Sequence, residues 1–196
     1  LSIKSNKIRY DRNLDLINSL GDTLIIVKNI YKIQTVSINY DQKNQNIYSS
    51  EDVNMEDNEN NYYSLKDGFR FDLTREIVKS KKSYILDSND NKYIFDDLAK
   101  NLKTNEIIGK EIKIEFEDSF FGNKNNDPIL KGRGIYSNDE NLKVYKAVFS
   151  TCNIENKKCR GWEINSNEFN HDKTKKIFEY KDSWLKLFDY KVFYLP

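Results

Sequence analysis

Asp41-Gln42-Lys43-Asn44-Gln45-Asn46-Ile47 decides the fold, because it is one of a series of polar turns that each close on an isoleucine. The same shape returns at Asp11 to Ile17, Leu73 to Val78, Leu102 to Ile108 and Asp172 to Phe178. Ile17, Ile47, Ile77 and Ile107 stand 30 residues apart, and Ile177 follows after 70, which leaves room for two longer units, one of them degenerate around Gly134 to Asn141. Just before the turns stand doublets with one residue between: Ile8 and Tyr10, Ile38 and Tyr40, Phe69 and Phe71, Phe169 and His171. Side chains two apart lie on one face of a strand.

After each turn the chain alternates. Thr23, Ile25 and Val27, then Val53 and Met55, Ile85, and finally Leu185 and Leu187 occupy one parity, whereas Asn54, Glu56 and Lys186 occupy the other. A helical stripe needs apolar residues at i, i+3, i+4 and i+7, so the period of two predicts strands with the first parity facing inward. Asp, Asn, Lys and Thr fill the turns, and Gly numbers only 7 and Pro only 2, so the connections rely on Asn and Asp, which tolerate the left-handed region. Glu56 to Asn61 reads as an exposed loop.

A two-strand unit of about 30 residues cannot bury its own apolar face, so neighbours must stack. The expectation is an all-β, elongated jellyroll of antiparallel strands over residues 1–196, forming a single domain with an apolar interior. Periodicity alone leaves open whether that interior is a filled core or a groove.

Composition narrows the function classes. Lys+Arg 32 against Asp+Glu 31 gives a net charge of +1, which disfavours nucleic-acid binding. Charged residues make up 32%, but 13% aromatics supply the apolar area that disordered chains lack. The longest aliphatic run, Leu24 to Val27, is far short of a membrane-spanning helix. Leu1 to Ser5 lacks the basic-then-apolar pattern of a secretion signal, so export is not legible there.

Catalytic constellations are sparse. His171 is the only histidine, and with Cys152 and Cys159 it makes a weak zinc signal, so no metal site is expected. His171-Asp172 could be read as a base and its orienter, yet the repeat makes these positions equivalent to Tyr10-Asp11 and Tyr40-Asp41, which are turn residues. Glu115 and Glu117 share a strand face with Phe116 pointing inward between them, a solvated face rather than a glycosidase pair. No phosphate-cradling loop or nucleophile elbow occurs, so neither an enzyme nor a cofactor is expected. Cys152 and Cys159 lie seven apart; a disulfide, local or to another part of the protein, and two free thiols are both compatible with that spacing.

Val144 to Cys152, Cys159 to Ile164, His171 to Leu185 and the ending Val192-Phe193-Tyr194-Leu195-Pro196 resemble the LptD family of lipopolysaccharide-assembly proteins (organic solvent tolerance proteins), in its alphaproteobacterial form. The resemblance is tight over roughly the last 55 residues and rests on the repeat alone before that, where it is similar to OstA-type periplasmic domains.

The resemblance implies a non-enzymatic domain on the periplasmic side of the outer membrane, holding the acyl chains of lipopolysaccharide inside a folded sheet with the sugars outside. It implies a barrel following Pro196, a lipoprotein plug, and a periplasmic bridge protein of the same fold docking at the N-terminal edge. The lipid-contacting wall would then be Ile8, Tyr10, Ile17, Ile25, Val27, Ile38, Tyr40, Ile47, Val53, Met55, Phe69, Phe71, Ile77, Ile85, Ile107, Phe169, Ile177, Leu185 and Leu187. Family members tie the domain to the barrel through cysteines placed differently, so those bridges do not transfer; the close spacing of Cys152 and Cys159 favours a local pair. The rival readings are a soluble bridge protein of the same pathway and a structural β-repeat with a filled core.

Overall fold

The computed structural model of the chain describes residues 1–117, 128–151 and 161–196. Within them every regular element is a strand: β1 (Ser2–Lys4), β2 (Lys7–Asp11), β3 (Leu16–Val27), β4 (Tyr31–Asp41), β5 (Asn46–Ser49), β6 (Val53–Glu56), β7 (Tyr62–Asp72), β8 (Ile77–Leu86), β9 (Lys92–Asn101), β10 (Ile107–Glu115), β11 (Ile129–Ser137), β12 (Asn141–Ser150), β13 (Trp162–Asp172), β14 (Ile177–Leu187) and β15 (Tyr190–Leu195). The fold is all-β and antiparallel, as the alternation requires. Hydrogen bonds connect neighbours in near-sequential order, with β2 beside β3 and β6 between β4 and β7. Two compact units result, one of residues 1–88 and 97–103, the other of 89–96 and 104–196, so β9 contributes to both.

The polar turns are the repeated element. Asp11, Asp41, Asp72, Asn101 and Asp172 each accept, through a side-chain oxygen, a backbone N–H two or three residues on. Each turn then closes on a residue with positive φ: Asp15, Gln45, Glu76, Asn105 and Lys176. An Asx-initiated turn ending in the left-handed region reverses the chain without glycine. In the first unit consecutive turns are joined by backbone bonds, Gln42 N–H to Asp15 O, Leu73 N–H to Gln45 O and Leu102 N–H to Glu76 O. That ladder is the physical origin of the 30-residue period.

Each long strand also bends at its middle. Asp22, Asp67, Lys82, Glu111, Lys146 and Asp182 have positive φ inside β3, β7, β8, β10, β12 and β14, and the β5–β6 pair is interrupted outright. At the bends of β4 and β12 the inward parity shifts: Tyr31 and Ile33 are buried before it in β4, Ile38 and Tyr40 after it; Leu142 and Val144, then Ala147 and Phe149, do the same in β12, whereas in β3 and β7 the parity is kept across the bend.

The bends fold each unit's sheet back on itself. Register aligns Lys32 with Glu56 and Glu56 with Tyr62, which puts Tyr31 beside one end of β7, while Phe71 lies nine residues past Tyr62. In a flat sheet that separation is about 30 Å. The two rings nonetheless meet edge to face with centroids 6.1 Å apart. In the second unit, Phe149 pairs with Ile164 and Phe169 with Val144, yet their rings stack at 6.3 Å.

Along the creases the interior turns from apolar to hydroxylic. Ser19 and Thr23 share a 2.8 Å bond, and the Ser19 oxygen accepts Ile38 N–H. Ser49 donates to Ser37 O, Ser80 to Lys66 O, and Ser183 to Ser166 Oγ. A bend breaks the regular ladder, and small hydroxyl side chains provide hydrogen-bond partners at the break while leaving room for the turn. No buried side-chain nitrogen or oxygen among the described residues lacks a partner.

One alignment by isoleucine slips. Counted from the left-handed turn residue, the inward position two residues on is Ile17, Ile47, Val78, Ile107 and Phe178, so Ile77 and Ile177 come one residue early. A one-residue slip reverses the face. Val78 is buried where Ile77 is only half-buried, and Ile177 is exposed while Phe178 turns in. The bend absorbs the slip: three residues separate Ser19 from Thr23 and Ser49 from Val53, but only two separate Ser80 from Ser83 and Tyr180 from Ser183. For that reason Ile85 and Leu185 return to the inward parity.

Candidate functional site

The inner face of the first unit is an apolar wall assembled from both halves of each strand. Ile25, Ile33, Ile47, Val53, Met55, Leu65 and Phe71 are 0% exposed. Burial at that level means the facing layers touch through their side chains. Val27, Ile38, Tyr40, Phe69 and Ile85 complete the wall as buried residues, and Ile17 is half-buried at its margin.

Ile8 and Tyr10 do not lie in the covered interior. Register pairs Ile8 with Ser19 and Tyr10 with Ile17, so they stand on the inward face, but about half of each is exposed. Among the described residues β2 is an outermost strand with only β3 beside it, and its inner face is only half covered. The apolar stripe therefore continues past the covered core to a half-covered margin.

The second unit shows the same gradation. Ile112, Ile114, Leu130, Ile135, Val144 and Phe169 are buried, and Ile107 is half-buried. Towards the chain end the wall opens: Leu185 is half-buried, and Leu187, expected inside, is exposed with Tyr190 opposite it. Phe193, paired with Leu185, is 58% exposed. Among the described residues β15 is the outermost strand and pairs with the second half of β14, and none of them pairs with the first half, where Ile177 lies, on that side.

Among the described residues the interior holds two basic side chains, of which the repeat named His171 but not Lys100. Lys100, buried, donates from Nζ to the Tyr63 hydroxyl at 2.8 Å and lies 5.0 Å from that ring's centroid. It occupies the slot before a turn that Tyr40, Phe71 and His171 fill elsewhere, so extending the repeat through Leu98-Ala99-Lys100-Asn101 would have found it. Burial, together with the negative charge of Asp57, holds the Tyr63 hydroxyl protonated far above its ordinary range. Burial alone pushes Tyr180 up to about 12.

His171 is the other. It stacks on Phe178 with ring centroids 4.4 Å apart, and burial, reinforced by Lys173 and opposed by Asp172, pushes its pKa below the usual imidazole range. It is thus a neutral core residue near pH 7. Because the unfolded chain takes up the proton first, stability is level above a pH of about 6.5 and falls as pH drops from there towards the lowered folded value. Urea titrations of the wild type and His171→Phe between pH 8 and 5 are expected to diverge below about pH 6.5, with only the wild type losing this increment; parallel curves would contradict a buried neutral imidazole.

The two cysteines, Cys152 and Cys159, lie outside the described residues. No cluster of three metal-ligating side chains forms among those described. Phe116 is buried between the flanking Glu115 and Glu117, neither of which is buried.

Comparison with known protein families finds no match to the chain. No curated protein matches it either.

Proposed function

We propose that this chain is a non-catalytic carrier that holds the acyl chains of lipopolysaccharide against its inner face, on the periplasmic side of the outer membrane. The observation that carries this reading is the apolar stripe, which lines both halves of each folded sheet on either side of a hydroxylic crease and is only half covered at the margins formed by β2 and by β14–β15. Acyl chains require an apolar wall, each methylene removed from water contributing about 0.8 kcal/mol, and the absence of dense converging donors lets a chain slide. The resemblance of the last residues to lipopolysaccharide-assembly proteins supplies the identity of the lipid. A bridge protein at the N-terminal edge, and a barrel with its lipoprotein plug beyond Pro196, are the partners that this reading entails.

The full burial of Ile25, Ile33 and Phe71 favours a second reading, a structural β-repeat with a permanently filled core. Displacement of a naphthylamine dye separates them. Under the carrier reading, lipopolysaccharide displaces bound dye saturably while its deacylated saccharide does not. Failure of the dye to bind, or equal displacement by the deacylated saccharide, would favour the filled core.

A further inference from the structure

We propose that the side of the first unit opposite its crease is a polar latch, and that releasing it opens the apolar interior from the side. The purpose of such access rests on the carrier reading; the latch itself does not.

The strand tips of the two layers meet along this side through polar side chains. Lys28, in the turn after β3, is 2.6 Å from Glu76, in the turn after β7. The Tyr31 hydroxyl at the start of β4 donates to Leu102 O beyond β9, at 3.4 Å. Lys100 donates to Tyr63, whose hydroxyl donates in turn to Asp57 at 2.8 Å. Lys28, Tyr31, Asp57 and Tyr63 belong to one set of tips, and Glu76, Leu102 and Lys100 to the other.

Chemistry sets this side apart from the crease. At the crease the layers are the same strands, continuous in backbone, so it is a natural hinge. The opposite side is joined by side chains alone: inside the Tyr31–Phe71 ring contact, its outer contacts are polar ones whose partners water can replace, and Lys28 is already half exposed. Lys100 is the telling residue. The repeat fills its slot with Tyr40, Phe71 or His171, any of which would close the interior by packing. A buried ammonium there needs polar partners, of which the Tyr63 hydroxyl, itself bonded to Asp57, is one, and it is readily hydrated once the tips part. A seam closed in this way is held shut yet reopens more easily than a sealed core.

Thiol labelling in the full chain, with Cys152 and Cys159 changed to serine, tests the latch without lipid. One reporter, Val27→Cys, lies inward near the tips; the other, Ser83→Cys, lies inward at the crease. In the background Lys28→Ala/Tyr63→Phe, maleimide labelling at position 27 is expected to accelerate at least tenfold, with position 83 changed less than twofold. Equal acceleration at both positions means general loosening and overturns the proposal, as does no change at either. A variant with Lys28→Cys and Glu76→Cys joined by a short bis-maleimide gives the converse: dye uptake into the interior is expected to fall severalfold, and unchanged uptake would contradict the latch. If the latch behaves as expected but lipopolysaccharide never displaces dye, the carrier reading fails and the latch stands.

Discussion

Phe71→Ala lowers the stability of the fold by about 3–5 kcal/mol, the range for emptying a fully buried aromatic site. Phe71 is 0% exposed and its ring meets Tyr31 from the facing layer, so its removal leaves a cavity between layers anchored by their common crease. The strands are hydrogen-bonded on both sides and cannot slide to fill it. Against a typical total of about 5–15 kcal/mol this is a large fraction. Leu187→Ala, at the half-covered margin, is expected to cost under about 1 kcal/mol. Urea unfolding followed by circular dichroism measures both; similar losses at the two positions would mean that the layers are not packed as described.

Gly132→Ala is the second large effect. A Cβ at this position would collide with Val144 Cγ1 and stand 3.0 Å from the backbone oxygen of Tyr145, and the latter cannot rotate away. Overpacking of this kind costs about 1–3 kcal/mol, and the fixed backbone places Gly132 at the upper end. Gly109→Ala meets Phe95 Cδ1 at 2.5 Å, a ring that can yield only by displacing its own neighbours. Gly134→Ala meets nothing nearer than 3.7 Å and serves as the control with little effect. Pairing Gly132→Ala with Val144→Ala is expected to recover part of the loss, since residues in contact couple by about 0.5–3 kcal/mol. Strict additivity would show that the close approach is not the cause.

The sequence made the turns and the strands legible because their signals are local. Asp41 to Gln45 contains both the Asx acceptor and the left-handed closing residue, and Val53 to Glu56 contains a full alternation. The bends were harder to read. Parity shifts between Ile33 and Ile38 with no glycine or proline to mark the place, so the pattern looks like a weak strand rather than two good halves. An isoleucine anchor for the repeat therefore puts Ile77 and Ile177 one residue out of phase, since the left-handed residues Glu76 and Lys176 are the true anchors. The serines of the crease were invisible for a related reason: Ser49, Ser80 and Ser183 read as polar interruptions until the backbone they bond is known.

Burial is a property of what lies opposite, which alternation does not encode. Ile8, Tyr10 and Leu187 share the inward face with Ile25 and Met55, but at the sheet margins they are only about half covered. Lys100 was missed because a basic residue among 32 carries no mark of its own; only its slot in the repeat distinguishes it.

Photo-crosslinking in cells tests the central claim most directly. With a photoreactive amino acid at Met55, Ile85 or Leu185, adducts with lipopolysaccharide are expected, and with the same group at the outward positions Asn54 and Lys186 they are expected to be several times weaker or missing. Equal yields on the two faces, or adducts at Asn54 and Lys186 alone, would contradict an interior path for the acyl chains.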